Sequence, residues 1–294
     1  MNTLFKRIGL ISKPDATDIS ATVQSLYQLL SDFDLTLLVD PETALHIEIP
    51  SEQVISIDAL GEHCDVIISL GGDGTLLSAA RSLVGKNVPL IGINLGRLGF
   101  LADISPAEMA TKLQQVLEGA YLEEERIILN AQIIRQQKII HQQSAFNEVA
   151  IHRLNSPGLI DIDTYVDDKF VNSQRSDGLI IATPTGSTAY ALSGGGPLMH
   201  PSLDALVLVP INPHTLSNRP LVVDGNSHIG IRFHQRDQHQ AQLTCDNVIL
   251  PSINEDDLIS IKRHDHKIKL LHPTDHDFFN TLRAKLGWSR APQP

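Results

Sequence analysis

The sequence predicts an N-terminal α/β domain built on a parallel sheet, followed by a C-terminal region of mainly antiparallel strands. Two observations carry this expectation. Strand-like and helix-like runs alternate through residues 1–120, the pattern of a parallel sheet covered by helices. From about Tyr121 short runs of alternating apolar and polar residues take over, as half-buried antiparallel strands require.

The elements can be justified in chain order. Residues 8–12 form a first apolar strand, and Val23, Leu26, Tyr27 and Leu30 then recur at helical spacing. Residues 35–39 read as a second strand and residues 66–70 as a buried third, after which Leu76, Leu77, Ala79 and Ala80 begin a helix. Ser105-Pro106-Ala107-Glu108 has the form of a capping box with proline at the first helical position. A helix is therefore expected from there through Met109, Leu113, Val116 and Leu117 to Gly119. In the second domain, strands are expected around Ile127 and Ile133, Ile160 and Val166, Ile229 and Phe233, and Leu258 and Ile261.

A chain of 294 residues with 42% hydrophobic residues can bury two cores. Its net charge of -11 argues against nucleic acid or an anionic membrane as partner, since both reward clustered lysines and arginines. Two cysteines, Cys64 and Cys245, make no disulfide framework and suit a reducing cytoplasm. The apolar run after Lys6 and Arg7 is too short for a signal peptide, and no stretch reaches transmembrane length.

The most informative segment is Leu-Gly-Gly-Asp-Gly-Thr-Leu at residues 70–76. It lies at a strand-to-helix turn, where parallel sheets bind ligands and where glycines let backbone amides approach a phosphate. A carboxylate beside phosphates is repulsive unless it accepts a proton from an attacking hydroxyl or holds a divalent metal, and Asp73 suits either task. Its alternative role is to cap the following helix. The better-known phosphate loops do not fit: Leu77 stands where the dinucleotide fingerprint needs a third small residue, and no Lys-Ser/Thr pair follows. A second cluster, Thr183-Pro184-Thr185-Gly186-Ser187-Thr188-Ala189-Tyr190, follows another apolar run. It offers amides and hydroxyls to a ribose or phosphate and Tyr190 to a base, or it is simply a polar loop.

Taken with Ile91-Gly92-Ile93-Asn94, Leu98-Gly99-Phe100-Leu101, Asn147-Glu148 and Arg175-Ser176-Asp177-Gly178, these clusters make the chain resemble the NAD kinase family of bacterial type from about Ile8 to Trp288. The resemblance implies a Rossmann-like parallel α/β first domain (residues 1–120 with about 272–294, the C-terminal segment returning to it) and a β-rich, sandwich-like second domain at 121–271 that binds NAD and joins subunits. It implies transfer of the γ-phosphoryl group of ATP to the 2'-hydroxyl of the adenosine ribose of NAD, with Asp73 orienting or deprotonating that hydroxyl. Gly71, Gly72, Gly74 and Thr75 would hold the phosphates of ATP. Asp73, Gly74, Asn147, Glu148, Arg175, Asp177, the stretch Thr188, Ala189, Tyr190, Ala191, Leu192 and Ser193, and Asn247 would bind NAD.

An acidic protein that holds such anions needs local compensation, so a magnesium or manganese ion and a few placed cations are expected. Arg175 would lie on the nicotinamide side and favour NAD over NADH, or else form a surface salt bridge to Asp177 or Asp168. A cytoplasmic homodimer or homotetramer is implied. The rival readings are a lipid or sugar-phosphate kinase sharing the glycine loop, and a non-catalytic NAD sensor. His264 and His266 read as an exposed hairpin, residues 234–239 as a solvated turn, and Glu123-Glu124-Glu125 as a solvent-facing interdomain connection rather than metal ligands.

Overall fold

The computed structural model describes residues 3–13, 19–96, 98–154, 158–234 and 240–288. The chain divides into two compact units, one of Met1–Glu125 with Ile268–Pro294 and one of Arg126–Lys267. The strands of the first stretch are β1 (Arg7–Ser12), β2 (Thr36–Val39), β3 (Val66–Gly71), β4 (Leu90–Asn94) and β5 (Tyr121–Arg126). Its helices are α1 (Ser20–Ser31), α2 (Pro41–Ala44), α3 (Ile57–His63), α4 (Asp73–Ser82) and α5 (Met109–Leu117).

The second unit follows with β6 (Leu129–Arg135), β7 (Lys138–Ala145), β8 (Glu148–Leu154), β9 (Ile160–Val166), β10 (Lys169–Ser176) and β11 (Gly178–Ala182). After a short 3-10 turn at Thr185–Thr188 come α6 (Tyr190–Ser193), β12 (Ala205–Ile211), β13 (Leu221–Asp224), β14 (Ile229–His234), β15 (Gln240–Cys245), β16 (Val248–Ile249) and β17 (Leu258–Arg263). β18 (Ile268–Pro273) and α7 (Phe278–Leu286) return to the first unit.

The first unit is a six-stranded sheet in the order β2-β1-β3-β4-β18-β5, and the pairs β1/β2, β1/β3, β3/β4 and β4/β18 are parallel. All six residues of β3 are buried, because helices cover both faces of such a sheet. Val23, Leu26 and Leu30 put one stripe of α1 into a core with Ile8, Leu10, Ile68 and Ile91, which Leu113, Val116 and Leu117 of α5 also join. The C-terminal segment thus adds a strand inside the sheet.

α5 begins later than its sequence suggests. Residues 106–108 form a turn, and the Ser105 hydroxyl donates to the Glu108 carboxylate at 2.6 Å. The Ser105 hydroxyl thus goes to Glu108 rather than to a helix amide, while the Glu108 carboxylate also takes the backbone N–H of Ser105, the reciprocal half of the expected capping box. The acidic run is also placed differently, because Glu123, Glu124 and Glu125 lie within β5. Strand alternation leaves Glu123 and Glu125 exposed but turns Glu124 to the other face, where it is half-buried.

The second unit consists of two antiparallel six-stranded sheets, β10-β9-β14-β17-β6-β7 and β13-β12-β11-β8-β15-β16. Leu129, Ile133, Ile162, Ile231, Phe233 and Ile259 of one meet Val149, Ile151, Leu179, Ile181, Leu208 and Leu243 of the other in a shared core. This is a β-sandwich. On its outer face the second sheet buries Ala150, Ile180, Val207 and Val209 under Ala191 and Met199, so α6 is seated on a flat apolar floor. His264 and His266 lie in the link from β17 to β18, strands of different sheets, and so do not form a hairpin. The turn expected around Arg236, Asp237 and His239 lies outside the described residues.

Candidate functional site

The glycine loop connects β3 to α4, with Asp73 as the first residue of the helix. Asp73 does not cap that helix. Its carboxylate accepts three consecutive backbone N–H groups from elsewhere in the unit: Phe100 on Oδ2 at 2.8 Å, and Leu101 and Ala102 on Oδ1, each at 3.0 Å. An ionised carboxylate offers about four lone-pair sites, so one acceptor site remains, on Oδ2.

The donating segment is folded back by its own bonds. Asn94 N–H donates to the carbonyl of Ile104 at 2.8 Å, the Asn94 amide donates to the carbonyl of Ala102 at 3.3 Å, and Gly99 N–H donates to the same carbonyl at 3.1 Å. A Cβ at Gly99 would lie 2.1 Å from Asp73 Oδ1 and 2.8 Å from the Ala102 carbonyl oxygen. Only glycine allows this approach. The Asn94 and Leu98-Gly99-Phe100-Leu101 motifs therefore contribute to the grip on Asp73.

Beside the loop opens a cavity of about 460 Å³ lined by Gly71, Gly72, Gly74, Thr75, Ser78 and Lys13, among others. The N-terminus of α4 offers amide donors and a positive dipole end to any anion there, and Lys13 adds a full charge. Lys13 was missed in the sequence because a lone lysine after a strand carries no motif. It is brought beside the loop by β1/β3 pairing, its N–H donating to the Leu70 carbonyl at 2.9 Å. Asp40, on the same cavity, spends its carboxylate on the N–H groups of Glu42 and Thr43 at the start of α2.

In the second unit Asn147 and Glu148 enter β8 beside the end of β11, where Thr183 N–H donates to the Asn147 carbonyl at 2.9 Å. A Cβ at Gly186 would fall 2.1 Å from that carbonyl oxygen. A second carboxylate grips the backbone here, since Asp246 accepts N–H groups from Phe146 at 2.6 Å, Asn147 at 2.8 Å and Glu148 at 3.0 Å. Asp246 and Asn247 form the two-residue turn between β15 and β16, both left-handed with φ of 44° and 67°. Glu148 is buried, and this burial and the neighbouring Asp246 push its carboxyl up to about 7 against the pull of the Tyr190 N–H.

Glu148, Asp177, Tyr190 and Asn247 line one cavity of about 530 Å³ with His152, Arg153, Gln242 and Thr244. Asp177 is held by Arg153 Nε at 2.7 Å and by the Asn212 amide at 2.9 Å. Of the predicted stretch 188–193, Tyr190 alone lines this cavity. Ala191 is buried, Thr188, Ala189 and Leu192 are half-buried, and Ser193 is exposed. Asn147 is half-buried beside Glu148.

Two expectations are corrected. The hydroxyls of Thr183 and Ser187 turn inward, donating to the carbonyls of Phe146 at 2.8 Å and Pro184 at 2.6 Å, because the loop has few other partners for its buried backbone. Arg175 forms its salt bridge neither to Asp177 nor to Asp168. It pairs with Asp161 at 3.5 Å, its register partner across β9 and β10, and lines a separate hollow with Asp163 and His234. Asp246 and Arg153 were missed as well. The Asp-Asn turn was a legible signal for Asp246, whereas Arg153 is one polar position of an alternating strand.

The model of the ATP-NAD kinase N-terminal domain matches residues 8–121, and that of the ATP-NAD kinase C-terminal domain matches residues 146–273. The NAD kinase of Methylococcus capsulatus is 48% identical over 98% of this chain and 99% of its own length. That of Hahella chejuensis is 45% identical over 97% and 96%. Among solved structures, yeast NADH kinase complexed with NADH superposes with a TM-score of 0.88 at 25% identity, covering 99% of this chain and 90% of its own. An NAD kinase from Archaeoglobus fulgidus in complex with ATP gives 0.73 at 27% identity, covering 95% and 99%.

Proposed function

The chain belongs to the NAD kinase family, and we propose how its residues move the γ-phosphoryl group of ATP to the 2'-hydroxyl of the adenosine ribose of NAD. The observation that carries the reading is the grip on Asp73, which aims the carboxylate and leaves a single acceptor site on Oδ2. That site accepts the hydroxyl hydrogen. As the hydroxyl oxygen bonds to the γ-phosphorus and the bond to the bridging oxygen breaks, the proton passes to Oδ2, leaving ADP and NADP. Positioning and charge neutralisation dominate such a transfer, so aim counts for more than basicity.

Gly71, Gly72, Gly74 and Thr75, with Lys13, cradle the phosphates of ATP in the first unit. In the second, Glu148 and Asn147 read ribose hydroxyls, Tyr190 offers an aromatic face, and Asp177 and Asn247 complete the polar wall. A magnesium or manganese ion fits here as one carried by the triphosphate. Among the described residues no cluster of histidine, cysteine or carboxylate ligands lies at the glycine loop, and Asp73 has one site to offer. Such an ion neutralises charge on the phosphate oxygens.

The homo-oligomer expected of this chain is supported by exposed apolar residues on all four edge strands of the sandwich: Ile139 on β7, Phe170 on β10, Val222 on β13 and Ile249 on β16. Light scattering at micromolar concentration measures it. Neither Cys64 nor Cys245 is in a disulfide, in keeping with a cytoplasmic setting. The activity is tested by NADP formation from NAD and magnesium ATP, read with an NADP-specific dehydrogenase. Abolished turnover with retained NAD binding in Asp73→Asn supports the role given to Asp73. Unchanged turnover refutes it, and a protein that binds NAD without ever forming NADP is a sensor.

A further inference from the structure

We infer that His272, His276 and Glu124 form a site for one divalent transition-metal ion of the zinc class, with Asp103 as its outer carboxylate. The site belongs to the first unit and is separate from any ion carried by ATP. It is assembled where β18 and the turn before α7 return to the sheet beside β5.

The two imidazoles are buried and stacked, with centroids 4.0 Å apart and planes 19° from parallel. Both point Nδ1 at one oxygen of Asp103, at 2.9 Å for His272 and 2.7 Å for His276. A carboxylate cannot donate, so each Nδ1 carries the hydrogen, and each Nε2 of a neutral ring presents a lone pair.

Those lone pairs face another acceptor. His272 Nε2 stands 3.8 Å from Glu124 Oε2 and His276 Nε2 stands 3.9 Å from Oε1. Neither Nε2 has a hydrogen-bond partner, although both are buried. The gaps are too long for hydrogen bonds, but an ion with bonds of about 2.0–2.2 Å on either side spans them. One shared proton would serve a single ring, and two imidazolium rings stacked at this distance would repel. A divalent cation serves both nitrogens and the carboxylate together. Two imidazoles and one carboxylate favour zinc or a similar metal over magnesium. Asp103 then takes the tautomer-fixing role that carboxylates play behind metal-bound histidines.

Asp103 directly follows Ala102, one of the three donors to Asp73. The ion would therefore steady the segment that aims the carboxylate without touching the nucleotide. The test is titration of the full-length, chelator-stripped protein with Co²⁺ in the absence of nucleotide, followed by visible d–d absorption. One saturable equivalent displaced by Zn²⁺ is expected, with affinity lowered at least about tenfold in Glu124→Gln and about 10- to 100-fold in Asp103→Asn. Zinc-edge X-ray absorption of the unaltered protein should report two imidazole ligands, which covers variants that fail to fold. Absence of saturable Co²⁺ and Zn²⁺ binding, equal binding in both variants, or a zinc spectrum without imidazole would overturn the inference.

Discussion

Asp73 and Asp246 use one device to different ends. Each accepts three consecutive backbone N–H groups, two on Oδ1 and one on Oδ2. Asp246 is 8% exposed in the turn between β15 and β16, where it fixes the entry of β8 and disfavours ionisation of Glu148. Asp73 stands half-exposed at the head of α4, beside a cavity lined by Gly71, Gly72 and Gly74. The backbone grip is thus a way of aiming a carboxylate, and chemistry follows only where an acceptor site faces a ligand.

The largest test of that distinction is Asp73→Asn. It removes the acceptor and should lower turnover by about 10²–10⁴-fold, while NAD affinity measured by calorimetry stays within a few-fold. Next comes Gly99→Ala, whose methyl would collide with Asp73 Oδ1 and the Ala102 carbonyl. Misplacing the carboxylate by about an ångström should cost on the order of 10² in turnover. If Gly99→Ala retains full activity, the aim of Asp73 is not what matters.

Asp246→Ala should act on the fold instead. Three N–H groups lose their acceptor, and about 2–3 kcal/mol of unfolding free energy should be lost in urea, with weakened NAD binding as a secondary effect. A loss of turnover at unchanged stability would erase the contrast between the two aspartates.

The smallest effect concerns pH. Glu148 has a carboxyl at about 7 in the folded chain against 4.5 for the free group, so the folded state holds the proton more tightly. Its stabilising contribution is complete below pH 4.5 and disappears as the pH rises through about 7. Unfolding free energy should fall by about 1–3 kcal/mol over that window, and Glu148→Gln should flatten this part of the profile. A profile unchanged by the substitution would separate Glu148 from the influence of Asp246.

What could be read in the sequence was what depends on neighbours along the chain. The buried run before Gly71 and the stripe Val23, Leu26 and Leu30 follow from periodicity, and the glycine loop follows from its own spacing. What could not be read depends on segments far apart. Phe100, Leu101 and Ala102 reach Asp73 only because Asn94 and Gly99 fold the chain back, and Asp246 reaches Phe146, Asn147 and Glu148 only through pairing of β15 with β8. The hydroxyls of Thr183 and Ser187 suggested a ligand, but burial left them backbone carbonyls as partners. Glu124 looked like one of three equivalent acids until strand alternation singled it out.

The place of β18 between β4 and β5 has a consequence for how the protein must be made. While the ribosome is still translating the sandwich, the first sheet lacks an inner strand, and β4 and β5 present open edges of the kind that recruit foreign strands. The first unit is completed only when residues 268–273 emerge. Expressed alone, a fragment ending at Glu125 would carry the glycine loop on an unfinished sheet and should precipitate, whereas a circular permutant that moves residues 268–288 ahead of β1 could finish that sheet before the sandwich is translated.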